Sequence, residues 1–131
     1  MENIPVKFRS SYVKTLSAVE VRPERSNQHE FNGVQGLRKM FGIAGFSRDA
    51  IFSIRGEDAS CRSGITWYDA REAHPKRTEH RLYFKSNSVM DQAAEGDNMV
   101  IGFDGNNELH CVLIRRAAHG ELKAIPSWQS E

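Results

Sequence analysis

Apolar and polar side chains alternate in short runs along most of this chain, the period of half-buried strands rather than of long helices. "YVKTL" reads this way near the start, and "AIFSIRG", "GITWYDAR", "HRLYFKS" and "NMVIGF" follow as strand candidates. The last is joined to "ELHCVLIRR" through "DGNN", whose Asp and Gly residues suit a tight hairpin. Two segments break the alternation. "NGVQGLRKMFG" predicts a short helix: Asn32 stands at the cap with Gln35 three residues on, Val34, Leu37 and Phe41 share a face, and Gly42 stops it. "SVMDQAAEG" predicts a second, capped by Ser88. Many short strands with two short helices favour an all-β barrel or sandwich with helical plugs over a βαβ sheet.

Two connections are unusually rich in hydrogen-bonding groups. "ERSNQHEFNG" places seven polar residues in a row before Phe31, between the first strand and the first helix. "AREAHPKRTEH" links the "TWY" strand to the "RLYF" strand, and Pro75 makes it a loop. A wet loop accounts for such polarity, because loops cannot bury their backbone. The side chains are also those that match base edges: Arg forks onto guanine, Asn or Gln pairs with adenine, and a carboxylate accepts from cytosine. If both loops project from one side, they form two arms able to grip a groove.

Composition bounds the reading. At 131 residues, 39% hydrophobic and 27% charged, the chain is expected to be one domain with a real core, about 10–117, and a tail at 118–131. No run approaches the length of a membrane helix and "MENIPVKFRS" lacks a signal-peptide centre, so a cytoplasmic protein without membrane attachment is expected. Cys61 and Cys111 fit that compartment as buried thiols. The net charge is only +1, but Arg71, Lys76, Arg77, Arg81 and Lys85 outnumber Glu72 and Glu79 by three in one segment, with His74 and His80 beside them.

In this layout the sequence resembles a known family. "YVKTLSAVEV", the polar loop and a helix ending "MFG" are similar to the start of the N-terminal effector domain of the EcoRII-type restriction endonucleases, and "TWYDAREAHPKRTEHRLYF" is similar to its second arm, with Arg77, Glu79, His80 and Arg81 at the matching positions. "EGDNMVIGFDGNNELHCVLIRRA" resembles the end of the plant auxin-response transcription-factor DNA-binding domain. The resemblance implies a mainly β, seven-stranded-type DNA-binding pseudobarrel with two short helices, a monomer whose arms enter the major groove of double-stranded DNA at a short specific site. A glycine-rich stretch ending in His-Gln in the EcoRII-type first arm is replaced here by "RPERSNQHE", so the resemblance makes a CCWGG-like site the first to try without fixing it. It further implies an effector half that does not itself cleave, joined in the full-length enzyme to a nuclease domain.

The expected base-reading residues are Arg25, Ser26, Asn27, Gln28, His29 and Glu30 in the first arm and Arg77, Thr78, Glu79, His80 and Arg81 in the second. Lys14, Arg22, Arg71, Lys76 and Lys85 are expected on phosphates. Other chemistry competes weakly. Asp104, Glu121 and Lys123 could form a small magnesium-dependent nuclease site, but Asp104 lies in a hairpin turn. His74 and Lys76 begin a phospholipase-type nuclease motif in which Arg81 stands where an Asp is needed. His29, His74, His80, His110, His119, Cys61 and Cys111 lack zinc-site spacing, and His110 and Cys111, adjacent on a strand, face opposite sides. "GIAGF" lacks the context of a phosphate loop, so no cofactor is expected. Trp67, Tyr68, Tyr83 and Phe84 read as strand core rather than a single-strand stacking platform. A protein-interaction barrel is the remaining alternative, and Trp128 has no role in the pattern.

Overall fold

In the computed structural model, residues 6–22, 29–71, 79–119 and 123–131 are described, the side chains of 118 and 119 excepted. The strands are β1 (Phe8–Thr15), β2 (Glu30–Phe31), β3 (Phe46–Ile54), β4 (Ser60–Asp69), β5 (His80–Phe84), β6 (Asn98–Asp104), β7 (Leu109–Ile114) and β8 (Gln129–Ser130). They form one sheet in the order β2-β5-β4-β3-β7-β6-β1-β8, antiparallel except for β3 and β7. The protein is therefore mainly β, a curled half-barrel with short helical plugs, as expected. It carries one strand more than the seven-stranded plan, because the tail adds β8 to β1 through Tyr12↔Ser130 and Val13↔Gln129.

Alternation explains which faces are covered. On the concave side Phe52, Ile54, Ile65, Trp67, Leu82, Phe84, Met99, Ile101, Cys111 and Leu113 make the main core, closed by Leu37 and Phe41 from the helical segment. That segment is a 3-10 turn, Val34–Leu37, running into a helix, Arg38–Phe41, and ending at Gly42, whose φ of 82° allows the backbone to turn away. Asn32 does not cap it; Gly33 takes that position at φ 66°, and Gln35 instead reaches the His80 carbonyl. The second expected helix is a single 3-10 turn, Met90–Gln92, held by the Asn87 side chain rather than Ser88. Further short helices form at Ala18–Val21 and Arg116–His119. The hairpin at "DGNN" forms as read, with Asn107 at φ 63°.

On the convex side the two halves of the sheet differ. Val13, Val100, Val112 and Ile114 are covered by Ile125, with Val6 and Phe8 packed against them, so β6 and β7 are buried on both faces. Nothing comparable covers β2, β5, β4 and β3 among the described residues. Their outward positions are mostly polar, with Glu30, Arg81, Thr66, Arg62, Ser47 and Asp49, joined by Ile51 and the exposed rings of Tyr68 and Tyr83.

Among the described residues, the sheet does not close through backbone hydrogen bonds. Its seam between β2 and β8 is closed by side chains around Glu20, which is wholly buried. Its Oε1 accepts from Lys14 Nζ at 2.6 Å and from the Ser17 backbone at 2.8 Å, and its Oε2 accepts from the Asn32 backbone at 2.7 Å. The Asn32 carbonyl in turn accepts from the Trp128 indole at 2.8 Å, and that ring packs edge-on against Phe31 and under the Lys14 ammonium. The tail is thus part of the core, and Trp128 is its plug. Lys14, expected on a phosphate, is only 6% exposed and its charge is spent on Glu20.

Removing one member of a buried ion pair leaves the other uncompensated, so Glu20→Gln is expected to lower unfolding stability by about 3–5 kcal/mol. Glu20→Gln with Lys14→Met should recover a large part of that loss, because no charge is then left buried. Denaturant unfolding of the parent, both single variants and the double variant measures it; equal losses for single and double variants would show that the pair is not the source.

Candidate nucleic-acid interface

The two polar loops leave from opposite ends of β5. His29, which follows the first, accepts a backbone hydrogen bond from Phe84 at 2.8 Å, and its Nδ1 lies 3.1 Å from the Ser86 hydroxyl. Glu79, which follows the second, precedes β5 and pairs with the end of β4, where Ala70 donates to its carbonyl at 2.8 Å. Between the feet of the two loops lies the uncovered outer face of β2, β5 and β4, which forms a floor.

Each loop is tied at both feet by one carboxylate. Glu20 joins Ser17, before the first loop, to Asn32, after it. Asp69 does the same for the second, its Oδ1 accepting from Arg71 N at 2.9 Å and Glu79 N at 2.8 Å. Those two backbone donors, Glu79 first, hold the Asp69 carboxyl below its usual value, with His80 and Arg38 adding positive potential. The feet of both loops are therefore set by the fold.

Strand parity sorts the second-arm residues. Glu79 and Arg81 point outward, whereas His80 points inward, 2% exposed, stacked on Trp67 at 4.6 Å with Nε2 3.0 Å from the Ile43 carbonyl. His80 is thus a core histidine and cannot reach a base. Outside, Glu79 Oε2 accepts from Arg81 Nε at 3.2 Å and Nη2 at 2.9 Å, while Oε1 accepts from Arg71 Nε at 3.3 Å. The Glu30 carboxylate stands 3.9 Å from Arg81 Nη1. The hydrogen bonds from Arg81, then from Arg71, hold the Glu79 carboxyl low, and those to Glu79 raise the Arg81 guanidinium. An open cavity of about 360 Å³ lies at this edge, lined by Glu30, Asn32, Gln35, Glu79 and Arg81 among others.

Of the expected phosphate contacts, Lys85 is exposed, its stem laid across Gly64, where a Cβ would stand 3.2 Å from it. Arg22 is exposed at the foot of the first loop, and Arg71 is exposed but shared with Glu79. Lys14 is withdrawn, as described. Arg25, Ser26, Asn27, Gln28, Lys76, Arg77 and Thr78 lie outside the described residues. The pattern also passed over Tyr68 and Tyr83, 37% and 39% exposed on the floor, where core was expected; each sits on the outward parity of its strand, which is the signal that finds them.

Of the competing residues, those that are described have structural partners, while His74, Lys76 and Glu121 lie outside the described residues. Asp104 Oδ1 accepts from the Asn106 and Glu108 backbones and Oδ2 lies 2.8 Å from His110 Nε2, so both oxygens serve the hairpin. The Lys123 carbonyl accepts from Asn98. His110 and Cys111 do face opposite sides: His110 is buried beside Asp104 and Phe8, and Cys111 is in the main core, where burial raises its thiol. Cys61 is half-buried, and neither thiol is in a disulfide. Among the described residues, no three His, Cys, Asp or Glu side chains stand together as a metal site, and no helix is long and apolar enough to cross a membrane.

Because the Asp69 carboxyl is held low in the fold, its contribution is fully present above the unfolded value of about 4 and is lost as pH falls through the lower folded value. Asp69→Asn should therefore lower the thermal midpoint most at about pH 6, and the gap to the parent should shrink toward about pH 2. A pH-independent gap would assign the loss to packing rather than to the charged clamp.

Comparison of the chain with known protein families and with curated proteins finds no match.

Proposed function

We propose that this protein binds double-stranded DNA at a short specific sequence, gripping it with the two polar loops over the outer face of β2, β5 and β4. The observation that carries this reading is that uncovered floor, with two loops tied at its opposite ends and Arg81 presented between them. The rest of the convex face is packed over by apolar residues. The loop feet stand about 17 Å apart, taking five residues of β5 at about 3.4 Å each. A major groove is about 12 Å wide, so loops based at that spacing can lean into one groove from both sides.

Within this reading Arg81 contacts guanine, Tyr68 and Tyr83 meet the backbone bordering the groove, and Lys85 and Arg22 neutralise phosphates. The first-arm residues Arg25, Asn27, Gln28 and His29 read another part of the site. The order of strand, polar arm, helix and basic arm supports the effector half of a restriction endonuclease, acting in the cytoplasm as a monomeric domain with its nuclease elsewhere. A CCWGG-like duplex is the first to test.

Selection of bound duplexes from a random pool is the primary test, and failure to enrich any sequence would remove the proposal. Given a selected site, Arg81→Ala should relax preference at one base pair by about 1–3 kcal/mol while leaving the others read. Lys85→Ala should weaken selected and random duplex alike and reduce the salt slope of binding by about one. A sequence-selective loss for Lys85→Ala would mean that it reads a base.

A further inference from the structure

The outward carboxylate of Glu79 is the unexpected feature of a surface proposed to meet a polyanion. Its oxygens are already engaged on the floor: one receives both Nε and Nη2 of Arg81, the other Nε of Arg71. The contact covers the inner edge of the Arg81 guanidinium. The remaining donors, on Nη1 and the second N–H of Nη2, point along the end of the fork, where the Glu30 carboxylate stands 3.9 Å from Nη1. That outer end is the edge that pairs bidentately with guanine O6 and N7.

From this geometry we infer that Glu79 is a positioning residue that sets sequence specificity, holding Arg81 in its guanine-reading orientation and disfavouring contact with phosphates. The inference rests on the DNA-binding reading above. Two physical effects act together. The hydrogen bonds fix a long side chain that otherwise samples many rotamers, and this ordering is supplied before binding. The negative charge repels the phosphate backbone at every sequence alike, and only a duplex that offers guanine to the held fork offsets that repulsion. Arg71, shared on the other oxygen, keeps the carboxylate turned toward the floor.

Three variants separate the effects, measured against the duplex selected by the parent protein and against a random-sequence duplex. Glu79→Gln removes the charge, so random-duplex affinity should rise roughly two- to fivefold, the scale of one exposed ion pair. Preference for guanine at the base pair relaxed by Arg81→Ala should fall at the same time. Glu79→Asp keeps the charge but shortens the reach, so random-duplex affinity should stay at the parent level while guanine preference falls. Arg81→Ala combined with Glu79→Gln should lose no more guanine preference than Arg81→Ala alone, since Glu79 acts through Arg81. Tighter binding to random duplex cannot come from a weakened fold. Equal weakening of both duplexes by Glu79→Gln, or no change in either, would overturn the inference, as would loss of a cytosine preference at a different base pair. If the parent selects no duplex, the DNA-binding reading itself fails; if it selects one and Glu79→Gln behaves in any of those ways, only the role of Glu79 does.

Discussion

A single buried carboxylate holds the sheet edges, the feet of the first loop and the tail in one arrangement. Glu20 has no exposed surface, and a charge in that position is tolerable only when its partners replace the water it has lost. Lys14 from β1 and the Ser17 backbone, before the first loop, and the Asn32 backbone, after it, do so. Trp128 then shields Lys14 and binds the same Asn32 through its carbonyl. A half-barrel whose edge strands share no ladder is otherwise free to open there. The side-chain seam makes its curvature a consequence of charge satisfaction as much as of apolar packing.

The second loop repeats the device in a wetter setting. Asp69 bridges Arg71 and Glu79 much as Glu20 bridges Ser17 and Asn32, but it does so at the surface, where hydrogen bonds to charged groups are screened and weaker. The first loop is thereby tied into global stability, and the second is tied locally. A substitution at Glu20 acts on the whole protein, whereas one at Asp69 acts on the segment it clamps. Fixed feet also lower the ordering that any partner must supply, since the ends of each loop are already placed.

How much of this was legible follows from the range of the interactions. The long strands were visible because alternation is local, and the "DGNN" hairpin because its turn chemistry is. β2 and β8, two residues each, are too short to show a period and exist through pairing with β5 and β1. Trp128 looked idle because its partners, Phe31, Asn32 and Lys14, are about a hundred residues away. Glu20 could have been found: Ser17 and Glu20 have the spacing of a capping box, and Ser17 N donates back to Glu20 as that motif requires. His80 and Lys14 were misjudged for one reason, that residue type was weighed without strand parity. His80 lies on the inward parity of β5, and Lys14 shares the inward parity of β1 with Tyr12, where Glu20 takes up its charge.

The same parity gives meaning to a nearly neutral chain proposed to bind a polyanion. Net charge governs long-range attraction, and at +1 it supplies little. What the floor between the loops offers instead is charge in fixed opposition: Arg71, Arg81, Glu79 and Glu30 within ion-pair reach of one another, flanked by Tyr68 and Tyr83. A surface built only for phosphates would carry the arginines without the carboxylates. On the DNA-binding proposal, pairing them lowers indiscriminate affinity and restricts the directions from which a ligand can satisfy the guanidinium, which suits recognition of a particular hydrogen-bonding edge over attraction to any anion.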